Sequence, residues 1–100
     1  MRRPTLILVL ALALLVPLAL VACGGSEEVY NANGCGGCHA LEAAGSSGAV
    51  GPNLDESQPS FELVVDRVTN GAGAMPAFGD QLEEQQIADV AAFVVESTSG

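Results

Sequence analysis

The periodicity of this chain predicts an all-α domain of three to four short helices. Two segments carry apolar residues at helical spacing. In the first, Phe61, Val64, Val65 and Val68 fall on one face, and Glu62, Asp66 and Thr69 on another. In the second, Leu82, Ile87, Val90, Phe93 and Val94 share a face opposite Gln85, Asp89 and Glu96. No stretch reads as a strand, and no internal repeat is present. The 100 residues allow one domain. Hydrophobic residues make up 49% of them, too many for a disordered chain. Three basic residues against twelve acidic ones give a formal charge of −9, which excludes a nucleic-acid-binding face.

The amino-terminal segment differs from the rest. Met1-Arg2-Arg3 holds two of the three bases, and Leu6 to Ala22 then runs for 17 residues without a charge. A positive start followed by an apolar run is the pattern of a secretory signal. The run is shorter than the roughly 20 residues a spanning helix needs, and Pro17 interrupts it. It ends Leu20-Val21-Ala22-Cys23-Gly24. This resembles the bacterial lipoprotein signal, in which small residues precede a Cys that is lipidated and becomes the first residue of the mature chain. The alternative is an uncleaved anchor helix with Cys23 as an ordinary thiol. On the first reading, residues 1–22 are a signal peptide, 23–25 the lipidated Cys and a short tether, and 26–100 the folded domain. Cleavage leaves 78 residues, all twelve acids and Arg67 as the sole base, a side-chain charge of −11. A domain of that size usually needs a disulfide, metal, cofactor or partner to hold it.

The helices are expected in this order. The first covers Glu27 to Asn33, with two acids at its positive end and Gly34 to stop it. Tyr30 is then a packing aromatic whose hydroxyl needs a partner. Ala40 to Gly51 is rich in Gly and Ser and reads as loop. Ser60 caps a second helix, Phe61 to Thr69, which Asn70-Gly71 ends. The last helix runs from Gln81 to Glu96, with Asp80 at its cap and Glu83 three residues on. Its apolar stripe reads as core, packed on the first helix.

Cys35-Gly36-Gly37-Cys38-His39 is the strongest motif in the chain. Cys-x-x-Cys-His is the pattern of c-type haem attachment. Two thiols this close can add to the two vinyl groups on one haem edge, and the adjacent imidazole can reach the iron. Two other readings compete. A redox Cys-x-x-Cys is usually set in a βα unit, and no strand pattern precedes Cys35. A zinc site needs about four ligands, and no further Cys or His follows His39. With haem on Cys35 and Cys38 and lipid on Cys23, all three cysteines are used.

Four landmarks, in order, resemble the small class I c-type cytochromes of bacteria. They are Val29-Tyr30 leading into Cys35–His39; Gly51-Pro52-Asn53-Leu54; Asn70 to Phe78 around Met75-Pro76; and a final helix containing Asp89-Val90-Ala91-Ala92-Phe93-Val94. The likeness covers roughly Ser26 to Thr98. Within the family, the lipid-anchored c-551 and c-553 types are the most similar. The resemblance implies a small cytochrome c fold wrapped around one covalent haem c. It implies His39 and Met75 as axial ligands of the iron. A methionine is more often core filler, but Met75 sits in a Gly- and Ala-rich loop stiffened by Pro76. The resemblance also implies that Pro52 offers its carbonyl to Nδ1 of His39 and that Leu54 packs near the haem. Otherwise Pro52 is a plain turn residue. Arg67, beside Leu63 and Val64, is a candidate partner for a haem propionate or else a solvated or locally paired surface residue. One departure is visible. A small Gly commonly lies four residues before the aromatic of the first helix, where this chain has Ser26.

The expected function is that of a monomeric, membrane-tethered monohaem electron carrier rather than an enzyme. Its place would be outside the cytoplasm, lipid-anchored to the outer face of the cytoplasmic membrane of a bacterium. It would pass single electrons from a quinol-oxidising complex to a terminal oxidase. Its acidic surface suits partners with basic docking surfaces. A fixed electron-entry subunit of a larger oxidoreductase is the alternative. A haem enzyme or gas sensor with an open iron site is the third.

Overall fold

The computed structural model describes residues 25–99. The signal segment and Cys23 lie outside them. Four α-helices form the frame: α1 (Glu27–Ala32), α2 (Leu54–Ser57), α3 (Phe61–Asn70) and α4 (Glu84–Thr98). Short 3₁₀ turns cover Cys35–Gly37 and Glu42–Ala44. Two strands of two residues, β1 (Ala40–Leu41) and β2 (Ser46–Ser47), pair antiparallel as Ala40↔Ser47 and Leu41↔Ser46. The all-α expectation holds, with this small ribbon inside the segment expected to be loop. Two-residue strands are too short to show an alternating pattern.

Each helix begins at a polar cap. Ser26 Oγ accepts from Val29 N at 3.1 Å and starts α1. Ser60 Oγ accepts from Leu63 N at 3.1 Å and starts α3, a contact worth about 1 kcal/mol. Gly71, with φ +73°, ends α3. The last helix starts later than its sequence suggested. Its capping box joins Glu83 to Gln86, with Glu83 N donating to Gln86 Oε1 at 2.9 Å. Asp80-Gln81-Leu82 form the turn before it, where Gln81 N and Leu82 N donate to Phe78 O. The helix α2 was not foreseen. Asn53 Oδ1 accepts from Asp55 N and Glu56 N at 3.0 and 3.3 Å and winds one turn after Pro52.

The core lies between α1, α3 and α4. Tyr30, Leu41, Val64, Val68, Ile87, Val90, Ala91 and Val94 are buried. The stripe on α4 is therefore core, as its spacing predicted. Phe61 departs from its helical face and remains 39% exposed, at the outer edge of α3. The rings of Tyr30 and Phe93 meet edge to face at 5.7 Å, which ties α1 to α4.

The close approach of α1 to α4 is made one residue earlier than expected. A Cβ on Gly25 would lie 2.2 Å from Phe93 N and 2.6 Å from Phe93 Cα. Only glycine fits there. Ser26 is instead the cap, and its N–H donates to Asp89 O at 2.9 Å. At the other end, Gln58 Nε2 donates to Thr98 O at 2.8 Å and fastens the loop after α2 to the end of α4.

Candidate functional site

The Cys-x-x-Cys-His segment is a tight turn. Gly34, with φ +71°, breaks α1, and the 3₁₀ turn of Cys35–Gly37 follows. Cys38 N and His39 N both donate to Cys35 O, at 3.2 and 3.0 Å. Both thiols are free; Cys35 is half-buried and Cys38 exposed. Burial pushes the Cys35 thiol above its usual pKa, and the Cys38 thiol adds to the rise.

His39 is held from its far side. Its Nδ1 lies 2.8 Å from Pro52 O. A carbonyl can only accept, so Nδ1 carries the proton and the Nε2 lone pair is left for a metal. This is the contact the resemblance implied for Pro52. Gly51 makes it possible: a Cβ there would stand 2.7 Å from Cε1 and 2.9 Å from Nδ1 of His39. Gly51 N also donates to Cys38 O at 2.7 Å. Asp55 Oδ2 accepts from Glu42 N at 2.8 Å, so α2 also holds the chain just after the histidine.

Tyr30 supports the same turn from the core. Ser46 Oγ lies 3.0 Å from both Tyr30 Oη and His39 O. Burial raises the Tyr30 pKa, against a lowering by the Ser46 bond, so the phenol keeps its proton at neutral pH. Tyr30 then donates to Ser46, and Ser46 to the His39 carbonyl. Ser46→Ala leaves the buried phenol with only a 3.4 Å contact to His39 O. It is expected to cost roughly 1–3 kcal/mol, read as a lower urea midpoint of the haem-loaded protein. An unchanged midpoint would show that this chain of bonds carries no stability.

Met75 is brought in by a second turn. Gly71 and Gly73 both have positive φ, +73° and +55°. Ala72 N donates to Met75 O at 3.2 Å and Met75 N to Ala72 O at 2.9 Å, closing a miniature hairpin. Phe78 N and Gly79 N then donate to Val68 O and Thr69 O, which fastens this loop to α3.

Both turns open onto one cavity of about 570 Å³. Cys35, Cys38, His39 and Met75 line it, as do Pro52, Leu54 and Arg67. Every candidate residue within the described region thus meets at one place. Its apolar wall includes Val64 and Val68 of α3 and Val90 and Val94 of α4. Among the described residues, no three of His, Cys, Asp and Glu gather as a cage for a metal ion. A family model described as cytochrome c oxidase, cbb3-type, subunit III matches residues 25–94. A cytochrome c6 of Leptolyngbya boryana is 39% identical over 79 residues, covering 75% of this chain and 89% of that protein.

The chain belongs to the small class I c-type cytochromes.

A second cytochrome c6, from Alaria esculenta, is 38% identical over 77 residues, covering 69% of this cytochrome and 84% of the relative. The crystal structure of the c-type cytochrome SorU from Sinorhizobium meliloti shares 45% identity at a TM-score of 0.61. That match covers 64% of this chain and 72% of SorU. As a member of the family, this is a monohaem electron-transfer cytochrome with covalently bound haem c. The cavity fits the group. Its volume is in the roughly 300–1,000 Å³ range of cofactor sites, its walls are largely aliphatic, and its donors are two thiols, an imidazole and a thioether.

Arg67 stands at this site in two ways. Its Nη1 pairs with Asp66 Oδ2 at 2.9 Å, with both side chains about half exposed. It also lines the cavity beside Leu63 and Val64. The family landmarks pointed to most of this site. They did not point to Ser46 or Asp55, whose bonds reach backbone atoms of residues distant in sequence and leave no motif.

Proposed function

We propose that this cytochrome is tethered to a membrane and carries single electrons in a respiratory chain, from a quinol-oxidising complex to a terminal oxidase. The observation that carries this reading is the meeting of Cys35, Cys38, His39 and Met75 on one apolar cavity. Cys35 and Cys38 would hold the haem by thioether bonds. His39, oriented by Pro52, and Met75 would ligate the iron. Haem c supplies the one-electron couple. The thioether of Met75 is a soft donor that favours the ferrous state and raises the potential. With two side chains on the iron, no position is left for oxygen or peroxide. The ferrous protein is therefore expected not to bind carbon monoxide at neutral pH. Uptake of carbon monoxide would overturn the carrier and support an enzyme or sensor.

Arg67 offers a positive charge to a propionate at the cavity wall. Arg67→Gln is expected to lower the reduction potential and change its pH dependence, because a nearby positive charge favours the reduced state. If neither moves, Asp66 is the sole partner of Arg67.

Among the described residues, no helix is long and apolar enough to cross a membrane. Attachment rests on Cys23 and its lipoprotein-like context, after removal of residues 1–22. Intact mass of the membrane-extracted protein is expected to show that loss, one haem and the acyl groups together. The domain then sits outside the cytoplasm.

The surplus of acids, twelve against Arg67 alone in the mature chain, suits a monomer that docks on basic surfaces. Turnover with the natural oxidase is expected to fall as salt rises; independence of ionic strength would exclude steering. One observation favours a second reading, a fixed electron-entry subunit. The matching family model bears the description of an oxidase subunit. Stoichiometric co-purification with a larger oxidoreductase would decide for it.

A further inference from the structure

The packed domain begins almost where the proposed lipid ends. Gly25 lies against the α4 backbone so closely that a Cβ would stand 2.2 Å from Phe93 N and 2.8 Å from Ala92 C. Ser26 N donates to Asp89 O at 2.9 Å, and Ser26 Oγ caps α1. From Gly25 onward the chain is therefore fixed to α4. Only Cys23 and Gly24 separate that contact from the acyl chains. Two residues reach about 7 Å when fully extended. The headgroup layer on one side of a bilayer is itself about 5–7 Å deep. The tether has no slack.

We propose that the lipid surface is a fixed contact of this domain, on the face formed by the start of α1 and the Asp89–Phe93 edge of α4. The domain does not swing on its anchor. It presents its haem in one orientation and exchanges electrons with partners bound in the same membrane. This rests on the reading of Cys23 as the lipidated residue. The geometry of α4 makes the arrangement workable. Asp89 and Phe93 meet Ser26 and Gly25, whereas Val90 and Val94 line the cavity. The two stripes lie about 100° apart around the helix, so the lipid contact leaves the cavity accessible. Charge does not produce the contact. Glu27 and Glu28 are exposed beside Gly25, and acids repel anionic headgroups. The short tether holds the face down against that repulsion.

The test uses the full lipoprotein in oriented bilayers. The ferric haem EPR signal is recorded against the angle between membrane and field, and acylation is checked by intact mass. A second protein carries ten Gly and Ser residues inserted between Gly24 and Gly25, and its visible spectrum confirms an intact haem site. The native protein is expected to show an angle-dependent signal, and the insertion to abolish that dependence. An angle-independent signal from acylated native protein overturns the proposal while leaving the anchor standing. Dependence that survives the insertion also overturns it, because the surface and not the tether would set the orientation. A mass without acyl groups removes the anchor and the proposal together.

Discussion

Gly51→Ala is expected to displace His39 and with it the haem. The added Cβ would fall 2.7 Å from Cε1, 2.9 Å from Nδ1 and 3.2 Å from Nε2 of the imidazole. None of these atoms can retreat freely. On one side Nδ1 donates to Pro52 O at 2.8 Å. The His39 carbonyl is held by Ser46, and its N–H donates to Cys35 O. Residue 51 is fixed as well, by the 2.7 Å bond from its N–H to Cys38 O. Overpacking of this kind costs about 1–3 kcal/mol. Loss of the orienting bond on a metal-bound histidine typically costs 10–100-fold in metal affinity. The expected outcome is a lower yield of haem-loaded protein, or a low-spin spectrum that weakens on mild heating. Haem content by alkaline pyridine and the urea midpoint measure the two effects. Full haem content with an unchanged spectrum would show that the ring has room the structure does not give it.

Met75→Ala should leave the fold standing and change the chemistry. The hairpin that presents residue 75 is made by backbone bonds between Ala72 and Met75, which alanine preserves. Met75 is half-buried, so the stability loss should fall below the roughly 2–5 kcal/mol of a fully buried methionine. The potential is expected to drop by on the order of 0.1 V or more, within the ~0.8 V span that axial ligands set. The weak methionine–iron charge-transfer band should vanish, and the ferrous protein should bind carbon monoxide. Retention of both the wild-type potential and that band would remove Met75 from the iron.

The haem motif and its partner loop were legible because their chemistry constrains the residue types. Cys35, Cys38 and His39 are read from their spacing, and Met75 from the family resemblance of the loop that holds Gly73 and Pro76. The cap of α3 was legible because Ser60 stands directly before a clear apolar run, whereas the cap at Ser26 was not foreseen. For the last helix the sequence favoured Asp80 as the cap, with Glu83 three residues on, whereas the helix starts one turn later with Glu83 itself as the cap. The choice came from Phe78, whose carbonyl takes the N–H groups of Gln81 and Leu82 and holds that turn outside the helix. Gly25 and Ser26 posed a similar problem. Both are small, and the nearness of α4, more than sixty residues away in sequence, decides which one must lack a side chain. The helical face of Phe61 was read correctly for Val64 and Val68, which are buried, whereas Phe61 at the first position of α3 stays exposed.

The order in which the walls of the cavity appear along the chain has a consequence for biogenesis. The attachment turn ends at His39, while Val90 and Val94 lie about fifty residues further on. On the proposed export route the amino-terminal end emerges first. Cys35 and Cys38 then reach the far side of the membrane while α4 is still to come. The α1–α4 seam at Gly25 and Phe93 spans nearly the whole domain, and contacts of such long range close late. Until that seam closes, the thiols face an unfinished pocket, open to the apparatus that must place a large flat molecule within it. Packing of α4 onto Tyr30 would then enclose a cofactor held by Cys35 and Cys38.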